Sequence, residues 1–198
     1  MKKFLVITLA VMLAASCGQP QPAQESEPMS KDFLTLAAER YSVRHFSDQV
    51  VEQEKIDKII EAGKIAPTAV NSQPQMVYVV KSPEAVAKLN RVSPCIYGAP
   101  QVFVFCYNDQ NVCPRGDGNY GDIDVTIVLT HMMLEAANLG VGTCIVGYFD
   151  QQQLIDALEL PSNMHPVLIM PFGYAADDAE PSPRHSEFRD LSETVAYK

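Results

Sequence analysis

The sequence concentrates side chains suited to an anion immediately after its first predicted helix. Arg40, Ser42 and Arg44 place two guanidinium groups and a hydroxyl within five residues. Arginine donates hydrogen bonds in a planar fork and serine adds a short one, so this trio suits a phosphate group. An isolated motif of this kind also occurs at solvent-exposed helix ends that bind nothing, and the motif alone leaves both interpretations open.

A second polar segment, Ala66–Pro74, lies between a predicted helix and a predicted strand. It contains backbone donors, a hydroxyl and two side-chain amides, and its two prolines restrict its shape. Such a turn could hold a planar heteroaromatic ligand with little loss of conformational freedom. The alternative is an ordinary helix-to-strand turn in which Asn71 stabilises its own backbone.

Hydrophobic periodicity predicts the framework around these two segments. A first helix, for which Ser30 is the expected N-cap, carries Phe33, Leu34, Leu36 and Ala37. Further helices are predicted over residues 52–66, 83–89, 122–139 and 151–158, and strands over residues 76–80, 101–107, 143–146 and 166–172. Because helices and strands are mixed along the chain, the expected fold class is α+β, a sheet with helices on its faces.

Three of these segments have a distinctive pattern. The strand over residues 101–107 is continuously apolar, as expected of a strand covered on both faces. The helix over residues 122–139 is apolar on most sides, which indicates burial in a domain core or a subunit interface. Residues 108–121 are rich in glycine and predict an irregular loop that could move over a site.

Length and charge limit the possible functions. The chain has 198 residues, of which 47% are hydrophobic, enough for the core of one domain. Acidic residues outnumber basic ones by 24 to 15, which gives a formal charge of −9. Because binding to nucleic acid requires clustered lysine and arginine, this balance argues against a nucleic-acid partner.

The N-terminus has the features of an export signal. Lys2 and Lys3 precede an apolar run, Phe4–Leu13, that is too short to span a bilayer stably. Small residues then lead directly to Cys17, a pattern that resembles the bacterial lipobox, in which the cysteine is acylated and becomes the mature N-terminus. The alternative is a plain secretory leader with an incidental cysteine. Both interpretations predict export.

These features divide the chain into three predicted parts. Residues 1–16 are the lipoprotein signal peptide, residues 17–29 a flexible tether, and residues 30–198 the folded domain. The tether contains almost no apolar residue and cannot repay the entropy of folding. The predicted location is the bacterial cell envelope, where the domain is held to a membrane only through the lipid on Cys17.

Four further cysteines lie in the predicted domain: Cys95, Cys106, Cys113 and Cys144. Export permits disulfides, but the sequence leaves their pairing open. Cys106 and Cys144 lie in apolar runs and are expected to be buried as small hydrophobic residues. No pair has zinc-ligand spacing with a matching second pair, so we predict no metal site.

Several ordered motifs resemble the nitroreductase family. They are the Arg-x-Ser-x-Arg-x-Phe segment from Arg40, the Ala-Pro-Thr-x-x-Asn-Ser-Gln-Pro segment from Ala66, the Tyr-Gly-Asp-Ile-Asp start of the long helix, the Gly-x-Gly-x-Cys segment and the Pro-Phe-Gly-Tyr segment. The resemblance covers the chain from about Arg40 to Arg184. It implies a nitroreductase-like α+β fold with a central mixed sheet flanked by helices, and a homodimer that binds FMN between its two subunits.

The resemblance also implies roles for individual residues. Arg40, Ser42 and Arg44 would hold the phosphate or the pyrimidine edge of FMN, with Tyr41 alongside, and Arg184 would be a second phosphate ligand. Pro67, Thr68, Ala69 and Asn71 match the loop that the partner subunit lays against the flavin. The backbone stretch that faces the flavin ring matches Cys144, Ile145, Val146 and Gly147.

The implied activity is the reduction of nitroaromatic, quinone or similar small electron-poor molecules with NADH or NADPH in a ping-pong mechanism. The flavin carries the chemistry, so we predict no catalytic side chain and only a stabilising charge, for which Arg44 is the candidate. His45, His131, His165 and His185 show no partnered pattern and are expected to be surface or packed residues. Other interpretations remain open. Within the family, they are an enzyme that reduces iodinated tyrosines or one that degrades flavin, neither of which has a marker in this sequence. Outside it, they are an exported flavin-binding or electron-transfer protein without NAD(P)H-dependent turnover, and a structural envelope lipoprotein.

The sequence departs from the family pattern at two positions. Gln75 follows Gln-Pro where family members often have an aromatic residue, and Ser182 stands two positions before Arg184 where many have lysine. The first departure concerns substrate stacking, and the second concerns the affinity for phosphate.

Overall fold

The computed structural model describes residues 32–198. The predicted signal peptide, the Cys17 attachment site, the tether and the Ser30 cap lie outside the described residues. The first helix begins at Phe33, and its N-cap is Asp32, whose carboxylate accepts hydrogen bonds from the backbone of Leu34 and Thr35. The prediction that Ser30 caps this helix was therefore wrong, because Asp32 satisfies the free N–H groups of its first turn.

The described chain forms six α-helices and six β-strands. The helices are α1 (Phe33–Glu39), α2 (Gln53–Lys64), α3 (Pro83–Val92), α4 (Gly121–Asn138), α5 (Gln151–Leu158) and α6 (Leu191–Thr194). The strands are β1 (Gln75–Val80), β2 (Gln101–Asn108), β3 (Pro114–Arg115), β4 (Gly118–Asn119), β5 (Gly142–Thr143) and β6 (Met164–Gly173). The prediction for α5 matches its observed bounds, and most other predicted elements differ only at their ends.

The central sheet has the strand order β1-β2-β6-β5, and each of these neighbouring pairs is antiparallel. A parallel bridge between Ser42 and Thr143 adds the segment after α1 to the edge of this sheet. The sheet is therefore mixed, as predicted, although its parallel part is confined to this bridge in the described residues. Helices cover both faces, which confirms the α+β class.

Strand β2 divides the hydrophobic core into two layers. Val102, Val104 and Cys106 face the layer that contains α3 and α5, whereas Phe103 and Phe105 face the layer that contains α2 and α4. All five side chains have 0% exposure. This alternation follows from the two-residue period of a strand, and it confirms the prediction that this strand is covered on both faces.

Helix α4 is the longest helix of the described chain, and it is buried mainly on one side. Val125, Leu129 and Met132 are fully buried in the layer shared with α2. The opposite side remains accessible, and Ile123 is 40% exposed. Burial in the core thus accounts for only part of the apolar surface of this helix.

Two predicted segments differ from the observed structure. The loop over residues 108–121 contains a short hairpin formed by β3 and β4. Strand β5 ends at Thr143, although a strand was predicted as far as Val146. Beyond Thr143, only Val146 forms a bridge to β6, at Ile169. The stretch from Cys144 to Gly147 is therefore irregular rather than a full strand.

The C-terminal residues run along the surface. After β6 the chain forms a short 3-10 turn over Pro183–Ser186 and then α6, and every residue from Ser186 to Lys198 is exposed. No helix among residues 32–198 is both long and apolar enough to cross a membrane.

Candidate functional site

A surface cleft of about 330 Å³ brings together the residues for which a phosphate contact was predicted. It is lined by Arg40, Tyr41, Ser42, Arg44, Ser182, Arg184 and His185. The first four follow α1, whereas the last three belong to the C-terminal stretch. The fold therefore joins three guanidinium groups from the two ends of the described chain in one concave, predominantly polar surface.

The segment after α1 is fixed by pairing with β5. Helix α1 ends at Glu39. Its C-cap is Arg40, whose N–H donates to the Leu36 carbonyl and from which the backbone is extended. The N–H of Val43 donates to the Thr143 carbonyl over 2.9 Å, and the Val43 side chain is only 2% exposed. Because side chains alternate along extended backbone, the burial of Val43 directs its neighbours Ser42 and Arg44 away from the core.

The C-terminal arm, residues 174–198, completes the cleft by returning to α1. His185 Nε2 lies 3.2 Å from the Ala38 carbonyl oxygen, and its ring meets the Tyr41 ring edge-on at a centroid distance of 6.4 Å. These contacts hold Arg184 beside the arginines that follow α1. Arg184 itself pairs with Glu187 at 3.5 Å, but both side chains are exposed, so this ion pair contributes little stability in water.

The buried thiol of Cys144 interacts with two residues that line the cleft, through the charge of Arg44 and a hydrogen bond with the Ser42 side chain. Burial raises the pKa of the Cys144 thiol, and these two groups oppose the shift only in part. The thiol therefore stays protonated at neutral pH and is a poor nucleophile. A hydrogen bond with Cys95, together with burial, raises the pKa of the nearby Tyr97 hydroxyl, which also contacts Arg44.

The stretch predicted to face the flavin ring is residues 144–147, and alternate backbone N–H groups along it are bonded to β6. The N–H of Cys144 bonds to the Pro171 carbonyl over 3.2 Å, and the N–H of Val146 bonds to the Ile169 carbonyl over 2.9 Å. Within residues 32–198, the N–H groups of Ile145 and Gly147 have no acceptor, and both residues are exposed. Within residues 144–147, these two amides are thus the ones available to a ligand.

The predicted partner loop is strained and exposed. Val70, Asn71 and Gln73 have φ angles of 48°, 57° and 47°, and the Val70 side chain is 85% exposed. Left-handed backbone is unusual for residues other than glycine, particularly for β-branched valine, and such strain is concentrated at functional sites. The loop is held in place by a hydrogen bond of 2.8 Å from Ala69 N to Asp124 Oδ1. Pro67 and Thr68 lead into it, and the Thr68 hydroxyl accepts a bond from Gln73 N.

Within one copy of the chain, this loop lies far from the cleft lined by Arg40, Arg44 and Arg184, which we call the arginine cleft. Ala69 contacts α4 in its first turn, at Asp124. Arg40 instead lines a neighbouring cavity of about 190 Å³ together with Ala137, near the end of the same helix. The rise of an α-helix places these two points roughly 20 Å apart along the α4 axis.

Unpaired polar atoms gather beside the loop. Asp124 is 1% exposed, yet its Oδ2 has no partner among the described residues, and the same holds for the buried atoms Ser72 Oγ and Gln75 Oε1. Apolar side chains, including Met76 and Ile123, are exposed in the same part of the chain. Buried polar atoms normally have partners, so this surface has the character of an incomplete interface.

The described residues contain no group of three or more side chains that could hold a metal ion. Their four cysteines, Cys95, Cys106, Cys113 and Cys144, are all free thiols, with Cys106 and Cys144 buried as predicted. The chemistry of the cleft is therefore that of a cationic, hydrogen-bonding surface.

Sequence reasoning missed three residues around the cleft and loop. His185 lines the cleft, although it was expected to be an unpartnered surface or packed residue; the only local signal is its position beside Arg184. The backbone of Tyr97 has a left-handed conformation, with a φ of 57°. The Tyr-Gly pair that follows shortly after Pro94 gives only a weak indication of such a turn. Asp124 is a buried acid on an otherwise apolar helix face, a signal that could have identified it as the anchor of the loop.

Comparisons with known proteins agree with this fold. The profile of the nitroreductase family matches residues 37–95 and 91–174. The protein named FMN reductase (NAD(P)H) of Bacillus subtilis (strain 168) is 30% identical over 173 residues, which cover 77% of this chain and 70% of the relative. A protein named NADPH-dependent oxidoreductase from Staphylococcus epidermidis (strain ATCC 35984) is 27% identical and covers 79% of this chain and 70% of its own length.

A solved structure supports the same assignment. The crystal structure of a nitroreductase family protein from Clostridium difficile 630 is 37% identical, with a TM-score of 0.79, over 85% of this chain and 99% of that one. The family profile spans most of the described chain, and the resemblance seen in the motifs extends to the complete fold. The chain therefore belongs to the nitroreductase family.

Proposed function

We propose that this protein is an FMN-dependent NAD(P)H oxidoreductase that reduces small electron-poor molecules, such as nitroaromatic compounds or quinones, in a ping-pong mechanism. The observation that carries this proposal is the cleft in which Arg40, Arg44 and Arg184 converge with the Ser42 hydroxyl. The names of two relatives, FMN reductase (NAD(P)H) and NADPH-dependent oxidoreductase, support the cofactor and the electron donor.

The residues of the cleft fit the two ends of FMN. Three guanidinium groups and a hydroxyl match a phosphate, which accepts several charge-assisted hydrogen bonds at once. Ile145 and Gly147 offer backbone N–H groups on the neighbouring stretch, suitable for the polar edge of a flavin ring. When bound, FMN supplies the capacity to accept a hydride and to return electrons to a second molecule.

The chain itself has an electrostatic and positioning role in this proposal. Arg40 and Arg184 would hold the phosphate of FMN, and Arg44, in the same cleft, is the candidate for stabilising negative charge that develops on the bound flavin. No side chain is required as a nucleophile, in keeping with the protonated state of the buried Cys144 thiol. The two exposed N–H groups, of Ile145 and Gly147, would donate hydrogen bonds to the polar edge of the flavin.

We also propose that the active form is a homodimer in which Pro67, Thr68, Ala69 and Asn71 of one copy cover the arginine cleft of the other. This arrangement would join the two parts of the site, which in one chain lie at opposite ends of α4. It would also cover the exposed apolar and unpaired polar groups beside the loop.

For its location, we propose that the protein is exported and anchored in the bacterial cell envelope through a lipid on Cys17. The support is the order of charged, apolar and small residues before this cysteine. Beyond it, the predicted tether would let the folded domain stand away from the membrane surface.

The alternative function is an exported flavin-binding or electron-transfer protein without NAD(P)H-dependent turnover. It shares the FMN site with the proposed oxidoreductase and differs only in its response to nicotinamide donors. The formal charge of −9 argues against a nucleic-acid partner in both cases.

Anaerobic titration tests the reductase directly. We expect the purified protein to bind FMN, to lose its yellow absorbance on addition of NADH or NADPH, and to regain it when a quinone or nitroaromatic acceptor is added. Initial rates at several fixed donor concentrations should give the parallel double-reciprocal lines of a ping-pong mechanism. A yellow protein that ignores both donors would instead support the alternative, and a protein unable to bind FMN would refute both.

Arg40→Ala is expected to weaken FMN binding by removing a charge-assisted phosphate contact. The expected loss is about 1.5 to 3 kcal/mol, roughly a 10- to 150-fold rise in Kd. Fluorescence quenching of FMN measures this change, with Lys88→Ala as a matched control, since Lys88 is an exposed cation on α3 away from the cleft. Equal FMN affinity in Arg40→Ala and the parent would contradict the phosphate assignment.

Ile123→Glu is expected to dissociate the dimer and to lower FMN retention together, because it places a charge on the exposed apolar side of α4. Light scattering coupled to size-exclusion chromatography measures the mass. The control is Ala87→Glu, on the exposed side of α3 in the opposite layer, which should leave the dimer intact. A parent protein that is monomeric yet retains FMN would refute the shared site.

Cys17→Ser is expected to release the protein from the membrane fraction, because serine cannot accept the acyl chains. Fractionation of cells that express the parent and the variant measures this shift, and mass spectrometry of the parent N-terminus checks for acylation. A parent protein that is already soluble after export would favour the plain secretory leader.

A further inference from the structure

His185 occupies a position in the cleft that the proposed function does not yet use. Its ring lines the surface shared by Arg40, Arg44 and Arg184. One ring nitrogen, Nε2, lies 3.2 Å from the Ala38 carbonyl oxygen. The imidazole therefore connects the C-terminal arm to α1 at the point where the three cations meet.

The contact with Ala38 fixes the arrangement of hydrogen atoms on the ring. A carbonyl oxygen can only accept, so Nε2 must carry the hydrogen of this bond. In the neutral ring Nδ1 then has a lone pair and cannot donate to an anion. Only the protonated ring keeps the bond to Ala38 and offers a second N–H together with a positive charge.

The charges around the ring couple its protonation to anion binding. The titratable and charged groups on the cleft and on the elements packed against the ring are Arg40, Arg44, Arg184, Glu39, Glu187 and Tyr41. A phosphate dianion bound among the three guanidinium groups would attract a positive charge on the imidazole. Phosphate uptake and proton uptake by His185 should therefore reinforce each other, as thermodynamic linkage requires.

Three residues of the C-terminal arm line the cleft, and only two of them, Arg184 and His185, can carry a positive charge. The third, Ser182, provides a hydroxyl but no charge. A protonated His185 would therefore add a second cation from the arm to the cleft.

We propose that His185 is a pH-dependent phosphate ligand: its Nε2 holds the C-terminal arm on α1 while its protonated Nδ1 donates to the phosphate of FMN. The proposal rests on the FMN binding proposed above and adds a residue and a pH dependence to it. His185 acts at the phosphate and takes no part in hydride transfer.

The test compares FMN binding by the parent and His185→Gln from about pH 8 to about pH 5.5, the range over which histidine titrates. The glutamine amide can still donate to Ala38 but gains no proton. We expect similar Kd values at the upper end and a roughly three- to tenfold tighter Kd for the parent at the lower end. The titration of the phosphate itself affects both proteins and cancels in their ratio.

Riboflavin, which lacks the phosphate, is the matched probe, and it should bind the parent and His185→Gln equally at every pH. A Kd ratio for FMN that stays constant with pH would overturn the role of His185 while leaving the proposed function intact. A parent protein that fails to bind FMN at any pH would overturn the proposed function and, with it, this inference.

A second variant tests the contact with α1. His185→Ala should detach the arm, so trypsin should cleave after Arg184 faster than in His185→Gln, independently of any cofactor. Equal cleavage rates in the two variants would show that the bond to Ala38 does not hold the arm. Circular dichroism of both variants establishes that the domain remains folded in each.

Discussion

The hydrogen bond from the Val43 N–H to the Thr143 carbonyl is the constraint on which the candidate site depends. It adds the segment after α1 to the edge of the sheet, buries Val43 and thereby directs Ser42 and Arg44 outward. The close approach requires a glycine at position 142, where an added Cβ would lie 2.7 Å from Val43 Cγ2 and 3.2 Å from the Gly173 carbonyl oxygen. A backbone contact thus determines where the cationic side chains stand.

The parts of the structure that local pattern determines could be predicted from sequence, and the parts that depend on distant partners could not. The buried strand β2 and helix α5 follow from hydrophobic period and capping, which act over a few residues. The end of β5 depends instead on how β6 pairs beside it, so the predicted strand continued too far.

The same division holds within the site. The spacing of Arg40, Ser42 and Arg44 indicated an anion site, and the family resemblance added Arg184. His185 acquires its position only because the C-terminal arm folds back onto α1, and no pattern near residue 185 encodes that return. The net charge of a chain does not predict the charge of an individual site. This chain has a net charge of −9, yet three of its arginines line one cleft, so the local electrostatic field there is opposite in sign to that of the whole molecule.

The return of the C-terminal arm has a consequence for biosynthesis. Arg184 and His185 follow every strand of the sheet along the chain, so they leave the ribosome after all six strands have been made. The first wall of the cleft, at Arg40, Ser42 and Arg44, is made well before the second. Any nonsense or frameshift mutation upstream of codon 184 therefore leaves a chain that lacks the second wall.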